Sequence, residues 1–360
     1  MGPGLKVLVL GAGGIGGVVS GYLARCGHSV AVIDPDEAHL SAIAEGGLRI
    51  EGQESFAARP SAVPLPELGY WISTELPDVV CIAVKAADTP AALGLIADVP
   101  DFDGRLIVSL QNGWGSYEAA ELLGLDRVAA AHMTFSAYKA GPGRVCYSGS
   151  GTFRLGMLNG EDAADLAAFA AALTAAFHPV ELTDNIPGWL WAKAALSSFY
   201  YATALVSADV PDIMARPEYR PALTHLVGEV ALVAEARGIC LETVDGFAPS
   251  VLCHEPWSGP AVAQCWAAQA QFWEGRLQQR TGVWRDLAVH HRPTEIRSTQ
   301  GRIIEWADAE SIATPLLRRV AEMITEAEAG ARGLGWRNLD DLAAVDARQS
   351  PDPVDRSVPR

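Results

Sequence analysis

The stretch Lys6-Val-Leu-Val-Leu-Gly-Ala-Gly-Gly-Ile-Gly-Gly17, continued by Val30-Ala-Val-Ile-Asp34, constrains this chain more than any other. Val7 to Leu10 are apolar and branched, which suits a strand buried on both faces of a parallel sheet. Gly11, Gly13 and Gly16 fit G-x-G-x-x-G. The first glycine permits a sharp turn, the second a close approach of backbone to a pyrophosphate, and the third tight packing of the next helix on the sheet. The spacing predicts a helix over 14–26 whose first amides, from Gly14 and Ile15, and positive dipole end face the phosphates. Gly27 ends it, Ser29 to Ile33 form a second strand, and Asp34 stands about 20 residues past the glycines, where an acid binds the adenine ribose. The competing reading is a glycine-rich turn with no nucleotide. Strand, triplet, helix, strand and acid in register argue against it.

A chain of 360 residues exceeds what one core usually organises. Two domains are expected, 1–184 and 185–340, followed by a Pro-, Asp- and Arg-rich tail, 341–360, expected to be disordered. Up to about residue 184 strands alternate with helices, which predicts the α/β class and a Rossmann-type doubly wound sheet. Beyond the first unit, strands are expected at 78–84, 106–110, 128–131 and 180–183, with short extra strands at 48–51 and 55–58. Residues 144–148 and 152–155 read as a hairpin around Gly149-Ser-Gly151 on the sheet edge. Helices are expected at 36–45, 89–97 and 162–176. Lys85 and Gln111-Asn112-Gly113 fall at carboxyl ends of strands, where ligands bind in open α/β sheets. After Asn185 the patterns at 188–206, 217–237, 260–279, 292–309 and 315–333 predict an all-helical domain. Its Trp266, Phe272 and Trp273 are read as core in preference to a homodimer face.

The formal charge of −16 argues against nucleic acid and anionic membranes as partners, while leaving room for a small anionic substrate. No stretch reaches the length of a membrane span, and the N-terminus runs straight into a strand, so no signal peptide is expected and a cytoplasmic location is. The six cysteines are scattered without a C-x-x-C pair, which fits free thiols. Adjacent His290 and His291 point in different directions, and no second ligand pair stands out, so no metal is expected.

Two segments carry residues fit for proton chemistry. Trp189-Leu-Trp-Ala-Lys193 puts a lysine on a Trp-rich helix, where lost solvation lowers an ammonium pKa; a solvated surface lysine is the alternative. In Asp286 to Glu295, Arg292, Thr294 and Glu295 crowd the start of a helix. The alternative there is that Thr294 and Glu295 serve the helix N-terminus and Asp286 pairs with an arginine.

The order of motifs resembles the ketopantoate reductase family. The matches are Gly11-Ala-Gly13-Gly-Ile-Gly16, Val84-Lys85, Leu110-Gln-Asn112-Gly113, Leu182-Thr-Asp-Asn185, Trp191-Ala-Lys193 and Arg292-Pro-Thr-Glu295-Ile, over about residues 5 to 335. The resemblance implies a Rossmann domain followed by a helical domain. It implies Lys193 as general acid, Glu295 at the substrate hydroxyl, Asn112 by nicotinamide and substrate, and Lys85 near the cofactor. The chain departs from the family in places. Typical members carry Asn four and eight residues after the lysine, where this chain has Ser197 and Tyr201, and their later Asn-Gly is Gln300-Gly301. Ser197, Tyr201 and Asp286 are therefore the expected substrate-binding residues of a rebuilt clamp. Relatives also carry an arginine near the end of the second strand for the 2′-phosphate of NADP. Here Asp34-Pro-Asp36 would repel that phosphate, so NADH is expected over NADPH.

The sequence thus points to an NAD(P)H-dependent reductase of a small 2-oxo acid or related carbonyl compound. Hydride transfer is expected in the cleft between the domains. The alternatives are an opine- or imine-type dehydrogenase on the same fold, and a non-catalytic dinucleotide sensor.

Overall fold

The apolar runs become the buried strands of a mainly parallel sheet in a computed structural model that describes residues 4–99, 105–147, 151–254, 256–274, 276 and 278–348. The chain divides into two units, the first ending at Ile186 and the second beginning at Pro187.

In the first unit the strands are β1 (Lys6–Leu10), β2 (Ser29–Ile33), β3 (Leu48–Gly52), β4 (Phe56–Ala58), β5 (Ser61–Ala62) and β6 (Val79–Ile82). They continue as β7 (Leu106–Ser109), β8 (Val128–Met133), β9 (Ala137–Gly141), β10 (Arg144–Tyr147), β11 (Phe153–Met157) and β12 (Glu181–Leu182). Eight of them form one sheet in the order β12-β11-β8-β7-β6-β1-β2-β5, with β11 antiparallel to β8 and every other neighbour parallel. The chain steps outward from β1 to β2 and later returns to pair β6 on the other side of β1. The switch point therefore lies at the carboxyl ends of β1 and β6. Helices α1 (Gly14–Arg25), α2 (Glu37–Gly46), α3 (Leu68–Glu75), α4 (Thr89–Ala97), α5 (Gly115–Leu123) and α6 (Ala164–Ala176) connect the strands. Separate apolar clusters form around alternate faces of β1, since Val7 and Val9 belong to one and Leu8 and Leu10 to the other.

A second sheet, β4-β3-β10-β9, packs on α1. Glycines make this possible. A Cβ on Gly14 would lie 2.4 Å from the Ala137 carbonyl oxygen, one on Gly17 2.7 Å from Val145 Cγ2, and one on Gly21 2.8 Å from Ile50. These positions recur every three to four residues, so they form one bare stripe along the helix. The expected hairpin is corrected here. β10 pairs with β9 and β3 in the small sheet, and β11 pairs with β8 and β12 in the large one. The true hairpin turn is Gly141-Pro142-Gly143, with Gly143 at φ +65°. Gly149-Ser-Gly151 was the wrong glycine cluster, and its residues 149 and 150 lie outside the described residues.

In the second unit the helices are α7 (Ile186–Ala204), α8 (Val210–Met214), α9 (Arg220–Ala236), α10 (Val251–His254) and α11 (Pro260–Trp273). They continue as α12 (Gly282–Arg285), α13 (Gln300–Ala309), α14 (Pro315–Glu328) and α15 (Arg337–Ala347). Helix α7 is mostly apolar around its circumference, interrupted by Lys193 and a few hydroxyl residues, which is the pattern of a largely buried helix. Trp191 and Phe199 are fully buried on it, against the rings of Trp306 and Trp266 at 5.2 and 5.0 Å. Trp266 and Trp273 are buried within the chain, and Phe272 is half-buried. Glu229, buried on α9, accepts the amides of Leu316 and Leu317 and so caps α14.

Two expectations are revised in this unit. The helix expected over 292–309 begins only at Gln300. A π-helical turn over Asp286–His290 ends at His291, in the left-handed region at φ +48°, and Pro293 cannot supply the amide that a helix interior requires. The chain expected to be disordered from 341 is helical as far as Ala347, because Leu342 is fully buried and Asp346 bonds His225 at 2.6 Å. The remainder of that tail, 349–360, lies outside the described residues.

The α1 stripe yields an expected outcome. In an exposed helix, replacing glycine by leucine gains up to about 1 kcal/mol of helix propensity. Gly17→Leu should instead destabilise the protein by about 1–3 kcal/mol through overpacking against Val145 and the Ala12 carbonyl. Urea denaturation measures it, and a stabilised variant would refute the packing assignment.

Candidate active site

In the first unit the expected cofactor residues gather at the carboxyl edge of the sheet. Gly11 has φ +97°, and a Cβ there would lie 2.8 Å from the Ala83 backbone. A Cβ on Gly16 would lie 1.9 Å from the Gly11 carbonyl oxygen, so α1 is pressed onto the turn. Gly13 faces open space within 4 Å, and no side chain caps the start of α1, where the amides of Gly14 and Ile15 lie. That combination fits a pyrophosphate.

Asp34 ends β2 and accepts the Ala12 amide at 2.9 Å and the Asp36 amide at 3.0 Å. The fully buried His39 donates from Nε2 to the Ala12 carbonyl at 2.9 Å and accepts the Gly143 amide on Nδ1 at 3.0 Å. This tautomer follows from its partners, since a carbonyl only accepts and an amide only donates. Both backbone groups of Ala12 are thus held by side chains. Asp36 caps α2 through the His39 amide and pairs with Lys139 of β9 at 2.8 Å, and that pairing lowers the Asp36 pKa. Neither His39 nor Lys139 was found from the sequence, because no local pattern announces a contact made across 103 residues.

Lys85 is exposed and follows β6, and Asn112 is exposed and follows β7. Between them lies Gln111, whose amide nitrogen donates to the Val84 carbonyl at 2.9 Å and to Thr89 Oγ1 at 2.8 Å. Gln111 therefore ties the loop carrying Lys85 to the one carrying Asn112.

In the second unit Lys193 lies on α7. It keeps some accessible surface, yet protein surrounds it closely enough that burial brings its pKa down to about 8. Glu295 and then Asp245 oppose that shift as nearby carboxylates. The lowering expected from sequence is present, and loss of hydration is its cause. Asp245 was missed, although Asp245-Gly246 is a strong turn signal. It sits at φ +51° in a tight turn closed by two Val244–Phe247 backbone bonds, with Phe247 fully buried behind it.

Glu295 lies half-buried in the turn that precedes α13, and its backbone carbonyl accepts from Thr299 N at 2.9 Å, Thr299 Oγ1 at 2.7 Å and Ser298 Oγ at 3.2 Å. Thr294 donates its amide and hydroxyl to Glu328, both at 2.7 Å. Asp286 pairs with Arg292 at 2.7 Å, which is the alternative weighed for it from sequence. Ser197 is half-buried one turn beyond Lys193. Tyr201 is buried, with its hydroxyl 3.0 Å from Thr299 Oγ1. Among the described residues one close group of potential metal donors occurs, Glu235, Cys253 and His254, in which His254 Nε2 pairs with Glu235 at 3.0 Å.

Comparison with known proteins agrees with this layout. A family model described as ketopantoate reductase PanE/ApbA matches residues 7–160, and its C-terminal counterpart matches residues 185–328. The chain is similar to the 2-dehydropantoate 2-reductase of Halobacterium salinarum, at 28% identity over 329 residues, covering 90% of this chain and 99% of the relative. Among solved structures it is similar to a PanE/ApbA family ketopantoate reductase from Ralstonia eutropha JMP134, with a TM-score of 0.72, 28% identity, and coverage of 91% and 99%. It shares its fold with D-mandelate dehydrogenase, solved with NADH and anilino(oxo)acetate, at a TM-score of 0.72, 22% identity, and coverage of 91% and 99%. The matched stretches take in most of the chain, from β1 and the glycine loop through α7 with Lys193 to the end of α14, so the chain belongs to the ketopantoate reductase family and is an oxidoreductase.

Proposed function

We propose that this protein is an NADH-preferring reductase of small 2-oxo acids whose side chain is flat or apolar, with Lys193 as the general acid. The observation that carries the reading is Lys193 on the mostly buried α7, itself half-buried, with Glu295 as its foremost neighbouring carboxylate. The open space at Gly13 and the carboxylate of Asp34 suit the dinucleotide. When bound, the cofactor supplies a hydride to the substrate's carbonyl carbon. As the carbonyl π-electrons move to oxygen, Lys193 gives its proton to that oxygen and is later reprotonated from solvent. Glu295 accepts a hydrogen bond from the hydroxyl so formed and favours the protonated lysine beforehand. Asn112 orients the substrate and the nicotinamide, and Lys85 supplies positive charge near the phosphates.

Below a pKa of about 8 Lys193 holds the proton that reduction consumes. kcat/KM for reduction should therefore be flat at lower pH and fall as pH rises through about 8. Lys193→Ala should lose about 10²- to 10⁴-fold in kcat with NADH affinity near wild type. A variant that keeps more than about a third of kcat would remove Lys193 from the role.

The cofactor reading rests on Asp34 and Asp36 at the end of β2. Lys139 neutralises part of that charge, so a 2′-phosphate would have to displace Asp36 from it. kcat/KM should favour NADH over NADPH by at least about tenfold, and Asp36→Ala, which releases Lys139, should narrow the gap. A tenfold preference for NADPH in the wild type would overturn it.

Ser197 offers one hydroxyl near Lys193, and Tyr201 adds a large ring with its hydroxyl already bonded. D-mandelate dehydrogenase, a protein of this fold, was solved with NADH and an oxoacetate bearing a ring. In a steady-state panel, aromatic and branched 2-oxo acids should exceed ketopantoate in kcat/KM. If ketopantoate leads the panel, the substrate reading fails, and activity that requires an added amine would move the assignment to imine reduction.

A further inference from the structure

Glu295 is held by its neighbours, not by a regular helix. Its segment, Thr294 to Gln300, has two anchors. On one side Thr294 is bonded twice to Glu328 of α14. On the other side two side-chain bonds reach α7. Tyr201 meets Thr299 Oγ1 at 3.0 Å, and Gln300 Nε2 donates to the carbonyl of Ala194 at 3.1 Å. Ala194 directly follows Lys193.

The direction of the first bond can be assigned. A threonine hydroxyl has one proton, and that of Thr299 points to the Glu295 carbonyl at 2.7 Å. Tyr201 therefore donates to Thr299, and the chain of bonds runs from Tyr201 through Thr299 to the backbone of Glu295. Both struts are shielded from water, since Tyr201 is 5% exposed and Gln300 is fully buried. A bond in such a place has no water to replace it. The second strut also carries a penalty, because Gln300 Oε1 is buried with no partner among the described residues. A leucine of similar size would fill the space without that penalty but could not hold Ala194.

We propose that Tyr201 and Gln300 are positioning residues that brace the Glu295 turn against the helix carrying Lys193, so that the carboxylate stays in register with the ammonium. This rests on the reading of Lys193 and Glu295 as the reacting pair. The charged groups that act on Lys193 are Glu295 and Asp245, and those that act on Tyr201 are Glu295, Glu328 and Asp286. Glu295 is common to both. Loosening the brace should therefore reach Lys193 through Glu295.

Tyr201→Phe removes the hydroxyl and keeps the ring. It should lower kcat about tenfold with KM for NADH and for the 2-oxo acid within about twofold. The high-pH fall of kcat/KM should move to lower pH by about half a unit, because a carboxylate that favours protonated Lys193 is less well placed. Thr299→Val should do the same, the double variant should be no worse than either single one, and Thr299→Ser, which keeps the hydroxyl, should behave as wild type. If Tyr201→Phe is too unstable to assay, the two Thr299 variants decide the matter by themselves. Unchanged kcat and pH profile, additive losses in the double variant, or a rise in substrate KM at constant kcat would each overturn the proposal. In the last case the Tyr201 hydroxyl would be a substrate contact and not a brace. Lys193→Ala separates the layers. If it is active, the reacting pair is wrong; if it is dead while Tyr201→Phe is unaffected, only the brace is wrong.

Discussion

Helix α1 touches its surroundings through backbone on two of its faces, and the first unit depends on that closeness. Gly16 lets it sit on the turn after β1, while Gly14, Gly17 and Gly21 let the second sheet close over it. Overlaps of this size cannot be relieved by rotating a side chain, because the atoms in the way at Gly14 and Gly16 belong to the main chain. The motif read as phosphate-binding is therefore also a packing surface. Two demands on one helix, an open N-terminus and a bare flank, confine its large residues, among them Val18, Val19, Tyr22 and Leu23, to the faces between the glycines.

In the second unit the comparable constraint is a charged group on a buried helix. An ammonium in such surroundings lowers its pKa unless carboxylates compensate, and here burial outweighs Glu295 and Asp245 together. With its pKa lowered to about 8, the group is still mostly protonated near neutrality yet gives up its proton more readily than an exposed lysine. Helix α9 shows the opposite case. Burial there raises the Glu229 pKa to about 7, even though two amides of α14 favour its charged form.

The strands and helices that obey a strict pattern were legible in the sequence. β1, α1 and β2 follow from branched residues, spaced glycines and an acid, and α7 from a long, predominantly apolar helical stretch. The Gly-Pro-Gly hairpin was misassigned because another glycine cluster offered an equal local signal and pairing partners are not encoded locally. The helix start at Gln300 was missed because Pro293 and the left-handed His291 interrupt a pattern that still looks periodic. Lys193 and Glu295 stood out as residue types, but their supports did not. Asp245 near Lys193, the bond between Tyr201 and Thr299 and, separately in the first unit, His39 and Lys139 act across long separations, and a sequence shows no sign of a hydrogen bond before the chain has folded.

One consequence concerns the peptide unit at Ala12. Its amide is gripped by Asp34 and its carbonyl by His39, which is itself seated on the hairpin turn of the second sheet. Hydrogen bonds hold the loop from both sides, which reduces the conformational entropy it has to lose when a nucleotide binds. Residues that never touch the nucleotide can then govern how tightly it is held. Loosening the small sheet around Gly143 would return to the loop the freedom that His39 removes, and affinity would decline with every direct contact still in place.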